Sequence, residues 1–551
     1  MLRSYLTVAL RALQKHKTHA AINVIGLALG LAVCVLIALY VRHETSYDQF
    51  HEDADRIVQV TQVAQFDNET SRTAMIPAPL PKALRRSAPG VKQTTALKPG
   101  TVVARQDNRS FEAEALYAEP AFFEMFSFPL VRGTSAEALQ QPDGVVLTTE
   151  QAQRIYGRTD VLGETLQIRL DTSFETFTVT GIAEPAPTPS SIPLSIVLPF
   201  DRLQDFDRTM QDPSWRTLSP LLYVMLNEPG QAAGLERALE QIRMNEMPDP
   251  EQRHFELLPI TETHFASSIY GQLQPPSRSL YTYILVGIAV FVLGIACINF
   301  VTLTIGRSAE RAREVGVRKT MGAGRQHVMV QFWGEAVLLC AAALALGLGI
   351  ARLALPSFSQ LVAVPLTAEA LLTPSMTLVL AGVLVVVAVA AGGYPAMILS
   401  RFRPVAVLRG QVPGGHPSRL VQGLVVVQFA LSIALMAGTF VMWKQVDLVQ
   451  TKDLGFQHEQ VVQIDARLAS GQSQQVLDRY RQLAVSSSAV QHVTGGWGGI
   501  GVEGALPNRF DAQSGNTTVK THAWRTHHDV VETLGMTLAA GRDFSPEYGA
   551  D

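Results

Sequence analysis

Five long apolar stretches constrain this chain more than any other feature of its sequence. A helix needs about 20 predominantly apolar residues to cross the hydrocarbon core of a bilayer. The stretches that reach this length are residues 20–41, 280–305, 328–350, 375–399 and 420–443. Charged residues make up 17 % of the chain, below the usual value of about 25 %. The sequence therefore predicts an α-helical polytopic membrane protein with five transmembrane helices.

The first apolar stretch is predicted to be an uncleaved anchor. The hydrophobic part of a signal peptide has about 7–15 residues. Residues 20–41 exceed that length, and Arg42 and Glu44 follow without a small-residue cleavage site. Residues 1–19 place leucines at helical spacing, which predicts an amphipathic helix on the inner leaflet. The alternative is that the first span starts early as one long helix.

Lysine and arginine residues between the apolar stretches predict the orientation, because cytoplasmic loops are enriched in both. Residues 1–19, 306–327 and 400–419 are rich in Lys and Arg, and residues 353–373 contain neither. We therefore expect a cytoplasmic N-terminus. The segments expected outside are residues 43–279, 353–373 and the tail 444–551.

The segment 43–279 is predicted to be an α+β extracytoplasmic domain. The predicted strands are 56–66, 145–147, 166–170, 176–182 and 221–226, and a helix is expected over 231–244. Thr148 and Gln151 have the spacing of a capping box that opens another helix. The segment contains neither a nucleophile motif nor a pair of metal-binding histidines. We interpret His51, His254 and His264 as isolated surface or core residues, and expect no metal site.

The three cysteines do not point to redox or metal chemistry. Cys34, Cys297 and Cys340 each lie inside an apolar stretch, without the spacing of a zinc site. They are interpreted as small buried hydrophobic residues. No cysteine falls in the predicted outside segments, so these are expected to lack disulfides.

The fifth apolar stretch and its sequel echo the first. Residues 47–51 after the first stretch resemble residues 454–458 after the fifth, and residues 128–133 resemble residues 536–541. The common order predicts an internal repeat in which 444–551 is part of a second outside domain. We expect the chain to be truncated relative to this repeat; the alternative is a natural end at Asp551.

The loop 307–325 carries the most specific pattern in the chain. Glu310 can reach Arg313, and Glu314 can reach Arg318, at the spacing of neighbours on a helix. Gly322 and Gly324 then interrupt the helix. The pattern predicts a short exposed helix with fixed charges beneath the membrane. An ordinary positive-inside loop is the alternative, but it does not explain the acidic residues.

This part of the sequence resembles the MacB/FtsX-like ABC transporter permeases. The resemblance rests on residues 312–323, Asn299-Phe300, 393–396, 402–405 and 407–410, together with an N-terminal block from Ala9 to Phe50. It covers nearly the whole chain in order. The resemblance implies the duplicated eight-span plan of the longer family members, which agrees with the predicted truncation.

The resemblance also implies a function and its surfaces. In this family the loop after the second span is a coupling helix against a cytoplasmic ABC ATPase. The implied contact residues are Glu310, Arg311, Arg313, Glu314, Val315, Gly316, Arg318, Lys319 and Gly322. A second contact is expected at Pro404, Val407, Leu408 and Arg409, for which a simple linker is the alternative.

Several expectations about ligands and partners follow. The chain lacks a phosphate-binding loop, so no cofactor is expected on it, and ATP-Mg would bind the partner ATPase. Further expected partners are a second permease copy or related subunit, membrane lipid and an extracytoplasmic adaptor. The net charge of −3 does not indicate a nucleic-acid partner. Family members export peptides, lipoproteins or drugs, or transmit motion that regulates a cell-wall enzyme, in the bacterial inner membrane.

Glu335 is the single acidic residue inside an apolar stretch. A charged residue within a span is a functional candidate by default, because its insertion is costly. Its position near the cytoplasmic end favours a structural role. The alternative function for the whole chain is a membrane-anchored scaffold or sensor that regulates an extracytoplasmic partner such as a cell-wall enzyme. A sensor would need a cytoplasmic output domain, for which the inside loops are too short, and a scaffold would not need the charged loop. An intramembrane enzyme would need paired acids or histidines that the spans lack.

Overall fold

The structure is a computed structural model that describes most of residues 17–545. The segments left out within this range are 67–68, 88–89, 108, 172, 307–314, 316, 322–323, 401–418, 458, 465–472, 497–507, 515–516 and 524–525. The helices are α1 (Lys17–Thr45), α2 (Leu80–Ser87), α3 (Phe122–Met125), α4 (Thr149–Tyr156), α5 (Leu203–Phe206), α6 (Arg208–Gln211), α7 (Ala232–Glu246), α8 (Ser279–Gly306), α9 (Arg325–Val362), α10 (Pro374–Ser400), α11 (Arg419–Thr451), α12 (Ser473–Val485) and α13 (Val530–Thr533).

Five of these helices, α1, α8, α9, α10 and α11, are long and apolar enough to cross a membrane. This confirms the predicted fold class. Helix α9 continues past the predicted end at Ile350 to Val362. It does so because Ala351 and Leu355 are buried against α1 and the start of α10. Ala363 then ends the helix in a left-handed conformation, with a φ of 52°.

Helix α1 lies at the centre of the membrane bundle, where it packs against both α8 and α9. Small residues permit this close packing. A Cβ atom at Gly30 would lie 2.8 Å from the Cβ of Ala296 in α8. A Cβ atom at Gly347 in α9 would lie 2.9 Å from the carbonyl oxygen of Ala28. The apolar residues between these contacts form one buried cluster, so the spans are held together by close van der Waals packing.

Between α1 and α8 the chain forms a domain built on one mixed sheet, here called the α+β domain (residues 46–278). Its strands are β1 (Ile57–Phe66), β2 (Glu69–Thr73), β3 (Met75–Pro77), β4 (Val91–Gln106), β5 (Arg109–Ala118), β6 (Leu130–Arg132), β7 (Gly144–Thr148), β8 (Thr165–Leu170), β9 (Ser173–Ala183), β10 (Ile196–Pro199), β11 (Leu218–Leu226), β12 (Arg253–Pro259) and β13 (Ile269–Tyr270). The sheet order is β13-β2-β1-β11-β4-β5-β10-β7-β9-β6, with β12 on β1, β3 on β11, and β8 between β4 and β9.

Sequence periodicity explains how this sheet is covered. In β8 the residues Leu166, Ile168 and Leu170 are buried, while the polar residues between them are exposed, as the two-residue strand period requires. Helices α2 and α7 place apolar residues at three- and four-residue spacing over β1 and β11. A second apolar cluster fills the opposite lobe, formed by β4, β5, β7, β8, β9 and α4.

The predicted capping box at α4 is only half formed. The Thr148 hydroxyl accepts a hydrogen bond from the Gln151 backbone N–H at 3.3 Å, as predicted. The Thr148 backbone N–H instead donates to the carbonyl oxygen of Ser195, at 3.0 Å. Residue 148 ends β7, and the adjacent sheet segment supplies the acceptor that Gln151 would otherwise provide. The prediction of a reciprocal box was therefore wrong in its second half.

Two described elements of the tail are equivalent in position to elements of the α+β domain, while the predicted internal repeat stays a prediction. Strands β14 (Asn508–Ser514) and β15 (Thr517–Ala523) form a hairpin in which Ser514 pairs with Thr517. The β4–β5 hairpin pairs Gln106 with Arg109 in the same way. Ser514 and Thr517 each lie 408 positions after their equivalents Gln106 and Arg109. Helix α13 lies at the same offset from α3. Residues 515–516, at the tip of the second hairpin, and His458 lie outside the described residues.

Candidate coupling surface and domain–membrane junction

The structure describes part of the predicted coupling loop. Among the predicted contact residues, it describes Val315, Arg318 and Lys319. The others lie outside the described residues: Glu310, Arg311, Arg313, Glu314, Gly316 and Gly322 in the loop, and Pro404, Val407, Leu408 and Arg409 in the second predicted contact. The predicted roles of these residues stay predictions.

Val315 anchors the loop to the helices above it. It is 2 % exposed and packs with Val328 and Phe332 of α9 and with Ala396 of α10. The side chain of Val315 therefore lies beneath the loop surface, where it fixes the position of the segment that follows. Residues 317–320 are helical, and the Met321 backbone N–H donates to the carbonyl oxygen of Val317 at 3.2 Å.

The exposed face of residues 317–321 carries apolar as well as basic side chains. Val317 is 46 % exposed and Met321 is 83 % exposed, one turn apart on the same face. Arg318 donates from Nη1 to Oε1 of Gln331 in α9 at 2.6 Å, which fixes the segment to the helix. Partial burial and the nearby charge of Arg325 lower the pKa of Lys319. The surface is thus a firmly held apolar pair with basic neighbours.

Glu335 is buried in α9, with 7 % exposure. The helices approach closely at this level, since a Cβ atom at Gly392 of α10 would lie 2.5 Å from the Cβ of Ala336. This placement puts Glu335 inside the bundle, in keeping with the structural role that its sequence position favours.

A buried polar cluster lies where α1 leaves the bundle and enters the α+β domain. Glu44, at the end of α1, is 3 % exposed, and its Oε2 lies 3.1 Å from Nε2 of His264. The Tyr47 ring stacks on the His264 ring, with centroids 3.4 Å apart and planes at 6°. His264 is therefore a member of a buried cluster, and the interpretation of this histidine as isolated was wrong.

The same cluster reaches the other chain segments that join the domain to the membrane. The Ser277 backbone N–H, two residues before α8, donates to the carbonyl oxygen of His264 at 2.7 Å. Nη1 of Arg42 donates to the carbonyl oxygen of Ala370 at 3.0 Å, and also to Oγ1 of Thr373 at 2.5 Å. The junction thus links the end of α1 to the start of α8 and to the connection between α9 and α10.

Two further buried polar residues fix the chain as it leaves α1. Oδ1 of Asp48 accepts hydrogen bonds from the Ser191 backbone N–H at 2.8 Å and from the Ser190 hydroxyl at 3.2 Å. Desolvation nevertheless raises the pKa of Asp48. Nδ1 of His51 accepts from the Ser127 backbone N–H at 3.1 Å, and burial lowers the pKa of His51 to about 4. His51 is therefore a core residue, one of the two placements that the sequence predicts.

One cluster in the α+β domain brings a lysine and a serine together. Nζ of Lys98 lies 2.7 Å from the Ser219 hydroxyl, the arrangement of a Ser-Lys pair. Lys98 also forms a salt bridge with Asp207, so this lysine joins a hydroxyl and a carboxylate of the domain. Within the described residues, no group of His, Cys, Asp and Glu side chains could hold a metal ion.

The sequence contained signals for some of the residues that its interpretation missed. Val317 and Met321 have the four-residue spacing of neighbours on a helix, within a loop already singled out for its charges. Glu44 lies three residues after the end of an apolar stretch, where a buried acid needs a partner. Its partner His264 is 220 residues away in the chain, so local pattern could not have identified it.

Two family models match this chain. Residues 20–242 match the MacB-like periplasmic core domain, and residues 286–404 match the FtsX-like permease C-terminal domain. The periplasmic region of MacB from Actinobacillus actinomycetemcomitans aligns at 15 % identity and a TM-score of 0.27, over 37 % of this chain and 89 % of that one.

Two curated relatives are macrolide export ATP-binding/permease proteins named MacB. The one from Bdellovibrio bacteriovorus is 21 % identical over 74 % of this chain and 61 % of its own length. The one from Syntrophobacter fumaroxidans is 32 % identical over 24 % of this chain and 18 % of its own. The chain thus spans less than two thirds of either relative. The two domain matches follow each other along the chain in the same order as the α+β domain and the membrane helices after it. They show that this chain belongs to the MacB/FtsX-like ABC transporter permease family.

Proposed function

We propose that this ABC transporter permease couples a separate cytoplasmic ATPase to movement of the α+β domain on the other side of the inner membrane. The observation that carries the proposal is the exposed pair Val317 and Met321, on a segment fixed by the buried Val315. An apolar pair held on a rigid support is typical of a protein interface centre, where the loss of solvent contributes most to affinity.

The contacts of the described residues supply a route for motion across the membrane. The coupling segment is fixed to α9 through Val315 and through the bond from Arg318 to Gln331. Helix α9 packs against α1 at the close contact of Gly347 with Ala28. At its other end α1 enters the junction of Glu44 and His264. A push on the loop would therefore reach the α+β domain through helices that pack too closely to slide independently.

The proposed orientation rests on the Lys and Arg residues of the loops, because cytoplasmic loops are enriched in both. The coupling segment lies in the cytoplasm with the N-terminus, and the α+β domain lies outside. The exported substrate, or the extracytoplasmic enzyme that is regulated, would respond to movement of that domain. The chain would contribute no ATP-hydrolysing residues; ATP with Mg²⁺ would bind the partner subunit.

The test is co-purification of the full chain with the ABC ATPase encoded beside it, followed by measurement of ATP hydrolysis. Val317→Asp and Met321→Asp should each weaken the complex more than tenfold, because an interface charge would lose its water without a partner. Gln326→Asp is the matched control, since it adds the same charge at a nearby exposed polar position.

The outcomes separate a coupling role from the role of a membrane-anchored scaffold. Loss of binding in both loop variants but not in the control would support the coupling role. If the unmodified chain neither binds nor stimulates any ABC ATPase, the coupling proposal fails. A membrane-anchored scaffold for an extracytoplasmic partner would then be the better reading.

A further inference from the structure

The two equivalent hairpins differ in charge at two positions of their second strands. In the first hairpin, strand β5 carries Glu112 and Glu114, both exposed. The register of the two hairpins makes Lys520 and His522 of β15 their equivalents. Acidic residues in one copy are thus replaced by basic residues in the other, at both positions.

The strands that carry these residues each have an open edge. Strand β10 pairs with β5 only over residues 115–118. Over 109–114, β5 has β4 on one side and no other strand of the described chain on the other. Strand β15 pairs with β14, the only neighbour it has among the described residues. An open edge presents backbone N–H and C=O groups that can pair with another strand.

Hairpin geometry shows which backbone groups face the open edge of β5. Gln106 and Arg109 close a two-residue loop that includes Asp107, whose φ is 45°, so they form a hydrogen-bonded pair. Because pair types alternate along an antiparallel ladder, the backbone groups of residues 110, 112 and 114 point away from β4. By the same count, those of residues 518, 520 and 522 point away from β14.

We propose that β5 and β15 of the same chain pair edge to edge as antiparallel strands. In the proposed register Ala113 lies opposite Thr521, Glu112 opposite His522, and Glu114 opposite Lys520. The pairs Glu112–His522 and Glu114–Lys520 then join outward-facing backbone positions, as hydrogen bonding requires, and Ala113–Thr521 is the non-hydrogen-bonded pair between them. This register also relates the two hairpins by a local twofold axis. It places Glu114 opposite Lys520, and opposite charges stabilise cross-strand pairs.

The helices favour pairing within one chain. Helix α8 leaves the α+β domain that contains β5, and α11 leads towards β15. The two helices pack against each other in the bundle. Both hairpins are therefore tethered to neighbouring helices. Such tethering gives pairing within the chain a high effective concentration relative to pairing between chains.

A disulfide experiment on the full chain tests the register and the source of the partner strand. Hydrogen-bonded pairs in antiparallel strands have Cα atoms about 5.5 Å apart, within disulfide range. Mild oxidation of Glu112→Cys with His522→Cys should therefore give a reductant-sensitive product of monomer mass, with linked peptides identified by mass spectrometry. Glu112→Cys with Thr518→Cys is the control, because residue 518 lies about 13 Å further along the strand.

Three results would overturn the proposal. Equal cross-linking in both cysteine pairs would contradict the register, and no cross-link in either would contradict the pairing. A product of twice the monomer mass would show that the strands come from two chains. None of these results depends on whether the chain binds an ATPase.

A charge exchange tests the electrostatic part of the inference. In the Glu112→Cys and His522→Cys background, Glu114→Lys should reduce the cross-link yield several-fold, because two lysines then face each other. Adding Lys520→Glu should restore the yield. If the double exchange stays as low as the single variant, the placement of Glu114 opposite Lys520 is wrong.

Discussion

Tyr47 and His264 lie face to face, with ring centroids 3.4 Å apart, although 217 positions separate them in the chain. Tyr47 follows the membrane helix α1, and His264 lies shortly before α8. The stacked rings therefore join the two segments through which the α+β domain is attached to the membrane. The hydrogen bond between His264 and the buried Glu44 holds the same imidazole ring in place, because Glu44 contacts its Nε2 atom while Tyr47 stacks on its face.

This relationship predicts that His264 contributes to both stability and coupling. His264→Phe keeps a ring against Tyr47 but removes one hydrogen-bond partner of the buried Glu44, which keeps its contact with Ser277. A hydrogen bond to a charged group contributes about 1.5–3 kcal/mol, so the free energy of unfolding should fall by up to that amount. The measurement is thermal unfolding of the full chain in detergent, with ATP hydrolysis by the complex as the second readout.

Two controls make this prediction specific. His254→Phe alters a half-exposed histidine of the same domain and should leave both readouts close to those of the unmodified chain. Glu44→Gln in the His264→Phe background should recover part of the lost stability, since it removes the buried charge. Equal destabilisation by His254→Phe and His264→Phe would show that the Glu44 contact contributes nothing.

The buried His51 predicts a dependence of stability on pH. Its pKa is about 4 in the folded chain, against a usual value of 6.5. Between these values the unfolded chain binds the extra proton, so this contribution is complete above pH 6.5 and is lost as the pH falls towards 4. The loss amounts to about 3 kcal/mol. The raised pKa of Asp48 acts in the opposite direction at the lower end of this range.

Urea titration with pulse proteolysis of the full chain, from pH 7 to pH 4.5, would measure this effect. His51→Gln removes the titrating group and should flatten the dependence, although it lowers stability at neutral pH. A dependence equally steep in His51→Gln would assign the effect to other groups. The same variant leaves Asp48 in place, so any remaining slope of opposite sign would report on that carboxyl.

The close contact between α9 and α1 predicts a contrast between two glycines of the same helix. At Gly347 a Cβ atom would lie 2.9 Å from the backbone carbonyl oxygen of Ala28, which cannot move aside as a side chain would. At Gly349 a Cβ atom would meet nothing within 4 Å. Gly347→Ala should therefore lower the free energy of unfolding by about 1–3 kcal/mol, the usual cost of overpacking.

Thermal unfolding in detergent would compare Gly347→Ala with Gly349→Ala as the matched control. The control should be neutral or slightly stabilising, because alanine favours helix over glycine. If both variants unfold at the same temperature as the unmodified chain, α1 and α9 are not in the close contact described here. The proposed route for motion through these two helices would then lose its middle step.

The sequence predicted those features that depend on local pattern. Apolar length identified the five membrane helices, and the alternation of Leu166, Ile168 and Leu170 identified a strand with one buried face. Features created by distant contacts were not predictable in this way. The Glu44–His264 contact and the acceptor that Ser195 supplies to Thr148 each depend on where other segments pack. Val315 was expected at the loop surface but is buried, because α9 and α10 cover it.

The final prediction concerns two glycines of the α+β domain that have left-handed backbones. Gly133 has a φ of 90° and Gly163 a φ of 80°, a conformation that costs other residues roughly 1–2 kcal/mol. A Cβ atom at Gly133 would also lie 2.7 Å from the Thr180 carbonyl oxygen, whereas one at Gly163 would meet nothing within 4 Å. Gly133→Ala should therefore destabilise the domain more than Gly163→Ala, because only the former adds a backbone clash to the conformational strain. Urea titration of both variants in the full chain would measure the difference. Equal midpoints would mean that β6 moves away from β9 at little cost, and that the close approach of Gly133 to Thr180 does not hold the edge of the sheet.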